Sequence, residues 1–357
     1  MVKSKKTIKE SKKTDTQTDP SCIVVFGAAG YVGRMLCDQF CSAPSVKEII
    51  AIDRLPMPDI LKRKKKITWI EADLSQDDWH GKLIGKEPEI AIHTAWDFEK
   101  GGDEIKNLNA SEKIFEFCFN RPSINKIIYL SSILPYGATS DNNRDRMFSE
   151  GEILRENEYS YAVNKKEVES LLARQYSGSN RTKNVFVLRP GIIYGPMGAS
   201  IPSFREPLLK ILDSLPYFFK PDNDYGLQYV HEDDLVDLNA VLVFNKVPFK
   251  GYEVFNVVTS KPLDSSEIAV FLKKQIVDIP YFLVRLFFTT FGARYSEELT
   301  QKGVWKYLYY PVFADGSKLV KKLKFEFIYS TKEVAMGECG RYSHLAPKKE
   351  EGAETKE

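Results

Sequence analysis

Tyr161 and Lys165 stand four residues apart within 159–176, a stretch of helical character, so their side chains share one helix face. Of the 18 tyrosines in the chain, Tyr161 alone has a lysine at that offset. A phenol titrates near pH ~10, but a neighbouring ammonium favours the phenolate, as does the positive charge of an oxidised nicotinamide. Such a tyrosine can exchange a proton with a substrate hydroxyl near neutral pH. Upstream, Ser131 and Ser132 close an apolar run and offer hydroxyls at its end.

A second group of residues suits a dinucleotide. Gly27-Ala28-Ala29-Gly30-Tyr31-Val32-Gly33 follows the run CIVVF and opens a helix to about Phe40. Small residues at such a turn let the backbone approach a pyrophosphate, whose charge meets free N–H groups at the helix start. Asp53 ends the second apolar run, twenty residues beyond Gly33. A carboxylate there accepts hydrogen bonds from the adenosine ribose and repels a 2′-phosphate, which predicts NAD rather than NADP. The basic run Lys62–Lys66 falls between the second and third strands and reads as a solvated loop.

These residues need a scaffold that gathers strand ends. Short β-branched runs at 22–26, 48–53, 67–73, 90–93, 126–131 and 185–189 alternate with longer amphipathic stretches. That rhythm predicts an α/β fold, a doubly wound parallel (Rossmann) sheet covered on both faces. After Pro190 the pattern becomes irregular and rich in Pro, Gly and aromatics. The expected organisation is a dinucleotide-binding domain at 21–190 plus 231–258 and a smaller substrate-binding region at 191–230 plus 259–335. Residues 1–20, with six lysines, and 346–357 are too polar to repay the entropy of ordering and are expected to be disordered tails.

Composition narrows the class. With 43% apolar residues the chain can bury a large core. Fifty-one Lys plus Arg against 49 Asp plus Glu leave a formal charge of +2, too little for attraction of nucleic acid over the whole surface. The longest apolar stretch, 281–291, contains Arg285 and falls short of a bilayer span, so no stable membrane insertion is expected. Five cysteines without CxxC spacing suggest neither a disulfide framework nor a metal site, and a reducing, cytoplasmic setting is expected.

Taken in order along 21–335, these motifs resemble the extended branch of the short-chain dehydrogenase/reductase superfamily, the NAD-dependent epimerase/dehydratase family. The resemblance also covers Asp73-Leu74, His93-Thr94-Ala95, Asn109, the segment Ser131–Gly137, the segment Arg189–Pro196 and the segment Tyr229–Leu235. It implies that Ser132 hydrogen-bonds the reacting oxygen, that Tyr161 is the acid/base, and that Lys165 holds the nicotinamide ribose and depresses the tyrosine pKa. It further implies cofactor contacts from Gly27, Gly30, Tyr31, Val32, Gly33, Asp53, Asp73, Leu74, His93, Ala95, Asn109 and Pro190. A homodimer is expected, since relatives commonly pair through the helices that here contain Asn109–Phe119 and Tyr161–Tyr176.

Departures from the family pattern bear on the reaction. Dehydratases carry an acidic pair after the strand-end serine, where this chain has Ile133 and Leu134. Epimerisation, decarboxylation or simple oxidation and reduction are left, each using hydride transfer at a secondary alcohol. Nucleotide-sugar members carry Asn where Ile192 stands, and often Arg where Leu227 and Gln228 stand. Arg205, Lys210 or Lys220 could substitute. The expected function is a nucleotide-sugar epimerase, with a dehydrogenase or reductase of a more apolar alcohol or ketone as the alternative. A non-enzymatic dinucleotide-binding regulator would be expected to lack Ser132, Tyr161 or Lys165, and all three are present.

Overall fold

The computed structural model describes residues 19–76, 78–97, 104–200, 212–220, 225–244, 251–259, 261–291, 301–336 and 340–345. Apart from Asp19 and Pro20, the expected tails lie outside this set, as do Arg205, Lys210 and Cys339.

The apolar runs become strands β1 (Cys22–Phe26), β2 (Glu48–Asp53), β3 (Ile67–Glu71), β4 (Ile90–His93), β5 (Lys126–Leu130), β6 (Asn184–Pro190) and β7 (Tyr252–Val257). They form one sheet in the order β7-β6-β5-β4-β1-β2-β3, with every pair parallel. All five residues of β1 are buried, as required of a central strand covered on both faces. From β1 the chain works outward to β3, then crosses back to place β4 beside β1. The strand order reverses between β1 and β4, and the crevice lies over the strand ends at that switch point.

Helix α1 (Tyr31–Ser42) buries Val32, Met35, Leu36 and Phe40, an i, i+3, i+4, i+8 stripe that faces the sheet. It packs with α4 (Glu232–Phe244) on one face, while α2 (Glu104–Asn120) and α3 (Ser160–Gly178) pack together on the other. A buried ion pair seats α3. Arg189 at the end of β6 donates from Nη2 to Glu169 Oε2 at 2.6 Å, and Ser131 Oγ donates to Glu169 Oε1 at 2.5 Å. Breaking such a pair by removing one partner typically costs about 3–5 kcal/mol, because the other charge is left uncompensated.

A second core lies beyond the sheet and includes Phe218, Tyr225, Tyr229, Leu263, Val304 and Tyr307. It also takes Ile133, Leu134, Tyr136, Phe148 and Tyr159 from the chain between β5 and α3. Leu319, Leu323 and Phe325 instead join the α1 and α4 side of the sheet, where the helix Ser317–Leu323 covers edge strand β7. The chain past Pro190 is therefore interleaved between two cores. Helix Tyr281–Phe291 leaves Phe282, Leu283 and Leu286 exposed. Among the described residues no helix is long and apolar enough to cross a membrane.

Candidate active site

The crevice over the sheet is lined from the ends of six strands. Gly27 follows β1, and a Cβ there would lie 2.5 Å from Ala95 Cα, beyond the end of β4. Its φ of +84° adds a second reason for glycine. Gly33, in the first turn of α1, meets the same loop from the other side, and its Cβ would stand 2.1 Å from Gly27 O. These two contacts let helix, turn and β4 loop close on one another. Gly30 caps α1 without a side-chain hydrogen bond, and no acidic residue occupies the first turn, so the helix start presents backbone N–H groups and positive potential to the cleft. Tyr31 and Val32 line it beside these glycines.

Asp53 is buried at the end of β2. Its Oδ2 accepts from Ala29 N at 2.9 Å and its Oδ1 from Leu55 N at 2.9 Å. The carboxylate thus braces the glycine turn while lining the cleft. Asp73 Oδ1 accepts from Ser75 N and Oγ, and burial that would raise its pKa is outweighed by these bonds and by Lys106, leaving it below the usual carboxylate range. Leu74, Ala95 and Pro190 also line the cleft.

The fit to a dinucleotide is good: a turn of small residues, a helix start and a carboxylate at the end of β2 lie along one groove. Beyond the ends of β2 and β4, Arg54 makes a two-point ion pair with Asp97, at 2.8 and 3.2 Å. The lysine run stays away from the groove: Lys62 pairs with Asp59, Lys64 with Asp38, and Lys66 reaches Ala43 O at 2.7 Å.

Ser132, Tyr161 and Lys165 line the other end of the same cleft. Ser132 Oγ accepts from Leu134 N at 3.2 Å, which leaves its proton to donate. Tyr161 sits in the first turn of α3, whose approach is fixed by Glu156. Glu156 Oε1 accepts from the backbone N–H groups of Asn157, Glu158 and Tyr159, and Oε2 lies 2.5 Å from Tyr307 Oη. Lys165 donates to Leu130 O at 3.0 Å, and its ammonium rests 3.7 Å from the centre of the Trp96 ring. Burial drives the Lys165 pKa down to about 7, partly resisted by Glu169. Trp96 in turn meets the Tyr161 ring edge-on at 5.7 Å.

Two expected positions are not brought to the cleft. His93 is buried beneath the strand ends, hydrogen-bonded to Ser111 Oγ at 2.9 Å, and burial pushes its pKa down to about 3. Asn109 is exposed on α2, whereas Asn107 lines the cleft and holds Asp97, accepting from its N at 2.8 Å and donating to its O at 3.1 Å. Sequence reasoning also missed Arg54, Trp96, Asp97, Tyr307, Tyr310 and Val312. The first three follow the ends of β2 and β4, a position that marks any such residue for attention in a sheet of this kind.

Residues 23–257 match the NAD dependent epimerase/dehydratase family. The chain belongs to that family. An uncharacterized protein of Mycobacterium tuberculosis, Rv0501, is 26% identical over 148 residues, a match covering 37% of this chain and 39% of the relative. The match thus spans about two fifths of the curated relative's length. Among solved structures, UDP-glucose 4-epimerase of Thermotoga maritima with UDP-glucose superposes with a TM-score of 0.66 at 19% identity, over 88% of this chain and 96% of that one. WbmG of Bordetella bronchiseptica in complex with NAD gives a TM-score of 0.67 at 16% identity, over 93% and 97% of the two chains. At such identities the likeness concerns the fold, which this epimerase/dehydratase family member shares from end to end of those enzymes.

Proposed function

We propose that this family member carries out reversible hydride transfer at a secondary alcohol with NAD, using Tyr161 as acid/base. The observation that carries the reading is the convergence of Ser132, Tyr161 and Lys165 on the cleft that the Gly27–Gly33 turn opens into. The turn and the start of α1 would hold the diphosphate, Asp53 the adenosine ribose, and Asp73 with Leu74 the adenine. NAD, when bound, supplies the two-electron acceptor for the hydride that leaves the carbinol carbon. The hydroxyl proton passes to Tyr161 Oη, so alcohol becomes ketone with atoms and electrons balanced. Ser132 Oγ donates to the reacting oxygen and holds it beside the phenol. Lys165, anchored by Leu130 O, turns its other N–H groups toward the ribose and keeps a positive charge near Tyr161.

Ile133 and Leu134 leave no acid and base for elimination after Ser132, which speaks against dehydration. Epimerisation and simple oxidation both use the step above, and the UDP-sugar enzymes among the structural neighbours support the former. Pairing with a second copy through α2 and α3 and a cytoplasmic location belong to the same reading. The first is supported by Ile105, exposed at the start of α2, and the second by the free thiols of Cys22, Cys37, Cys41 and Cys118. Tyr161→Phe tests the mechanism: NAD affinity stays nearly intact because the phosphates are held elsewhere, while turnover falls about 100-fold to 10,000-fold. Full activity in this variant refutes the assignment.

A further inference from the structure

Arg54, Asp97 and Lys106 come to the cleft from three separate elements and meet there. Arg54 directly follows Asp53 at the end of β2, Asp97 follows the end of β4, and Lys106 stands in the first turn of α2. Arg54 Nη1 donates to Asp97 Oδ2 at 2.8 Å and Nη2 donates to Oδ1 at 3.2 Å, while Lys106 Nζ lies 3.6 Å from the same Oδ2. A guanidinium thus grips one anion with both Nη groups, and an ammonium stands beside it. That is the arrangement by which proteins also recognise a phosphate.

Asp97 is placed through its backbone. Asn107 accepts from Asp97 N at 2.8 Å and donates to Asp97 O at 3.1 Å, which fixes the chain at this position whatever charge the side chain carries. The ion pair itself adds little to stability, because the Arg54 side chain is 34% exposed and such pairs are screened by water. Its place in the cleft has another use. NAD and NADP differ at the adenosine 2′ oxygen, where NADP carries a phosphate. In dinucleotide folds a carboxylate at the end of the second strand meets the 2′ hydroxyl, and a nearby arginine accommodates the 2′-phosphate. Here Asp53 and Arg54 stand side by side, and the arginine already holds an anion.

Resting on the proposed placing of the adenosine ribose at Asp53, we infer that Asp97 is a specificity-determining residue: its carboxylate occupies, in place of a 2′-phosphate, the anion site made by Arg54 and Lys106, and so turns the protein toward NAD. NADP has to displace Asp97 from the guanidinium and leaves it as a further negative charge beside Asp53 and the phosphate. NAD, with a hydroxyl at that oxygen, leaves the ion pair in place.

The test uses the full chain, its Asp97→Asn variant and the Asp97→Asn, Arg54→Ala double variant. Each is titrated by calorimetry with NAD, NADP, adenosine 5′-monophosphate and adenosine 2′,5′-bisphosphate, the last two differing only in the 2′-phosphate. The parent is expected to favour NAD and the monophosphate. Asp97→Asn keeps the shape of the side chain and removes its charge, so affinity for NADP and the bisphosphate rises about tenfold or more, as expected of a charge-assisted two-point contact. NAD affinity changes by less than about fivefold, the range of a partly exposed ion pair. Arg54→Ala in that background removes the gain. An unchanged affinity of Asp97→Asn for both 2′-phosphorylated ligands, a gain that persists without Arg54, or a loss of all four ligands together overturns the inference while NAD binding by the parent leaves the cofactor reading standing. A parent that binds neither NAD nor NADP overturns that reading itself.

Discussion

Lys165 is costly to the empty protein, and Lys165→Met exposes that cost. The side chain is 4% exposed, and burial takes its pKa from 10.5 to about 7. At one pKa unit per ~1.36 kcal/mol, burying the lysine at pH 7 costs about 4 kcal/mol relative to the unfolded chain. The Trp96 ring under the ammonium returns up to about 2 kcal/mol of this, as expected for a desolvated cation–π contact. Methionine fills similar volume without a charge, so the variant is expected to be about 2 kcal/mol more stable than the parent at pH 7. The folded pKa lies below the unfolded one, so between about pH 7 and 10.5 the unfolded chain binds more protons and parent stability rises with pH. The advantage of the variant therefore shrinks across that window and is nearly gone at its upper end. Urea unfolding of cofactor-free protein at about pH 7 and pH 10 measures both, while turnover at pH 7 falls at least ~100-fold. A variant less stable than the parent at pH 7, or an advantage that grows with pH, refutes the reasoning.

Gly33→Ala puts a methyl group 2.1 Å from Gly27 O, so α1 must shift and NAD affinity should fall at least ~10-fold by equilibrium dialysis. Titration of both cofactors should show NAD binding better than NADP, and Asp53→Ala should narrow the gap while loosening the turn that Asp53 braces at Ala29 N. Glu169→Gln leaves Arg189 buried without its counter-charge and should cost about 3–5 kcal/mol in chemical unfolding.

The sheet and the cofactor end were legible because their signals are local. Continuous β-branched runs mark strands covered on both faces, and the glycine turn with Asp53 needs only the two strands beside it. The Tyr161 and Lys165 pair was legible for the same reason, since four residues on a helix share a face. Helix phase was not: Asn107 and Asn109 differ by about 200° around α2, so only one can face the cleft, and the sequence does not say which. Trp96 is hidden because its role depends on the ammonium of a residue far along the chain. Tyr307, Tyr310 and Val312 reach the Ser132 and Tyr161 end of the cleft through the second core, whose interleaved path leaves no periodic trace. The return of Leu319 to the sheet core is obscured likewise, as a short helix covering an edge strand reads like any other amphipathic turn.

The central claim is that hydride moves directly from a carbinol carbon to the cofactor. Its most direct test is isotopic: a simple secondary alcohol or UDP-glucose, whichever is turned over, is supplied with deuterium at the reacting carbon and NAD in ordinary water. An alcohol that is simply oxidised should deliver its deuterium to the nicotinamide, and UDP-glucose should keep its deuterium through epimerisation, with none released to solvent in either case. Deuterium appearing in the water would mean that the carbon gives up a proton rather than a hydride, which contradicts the account.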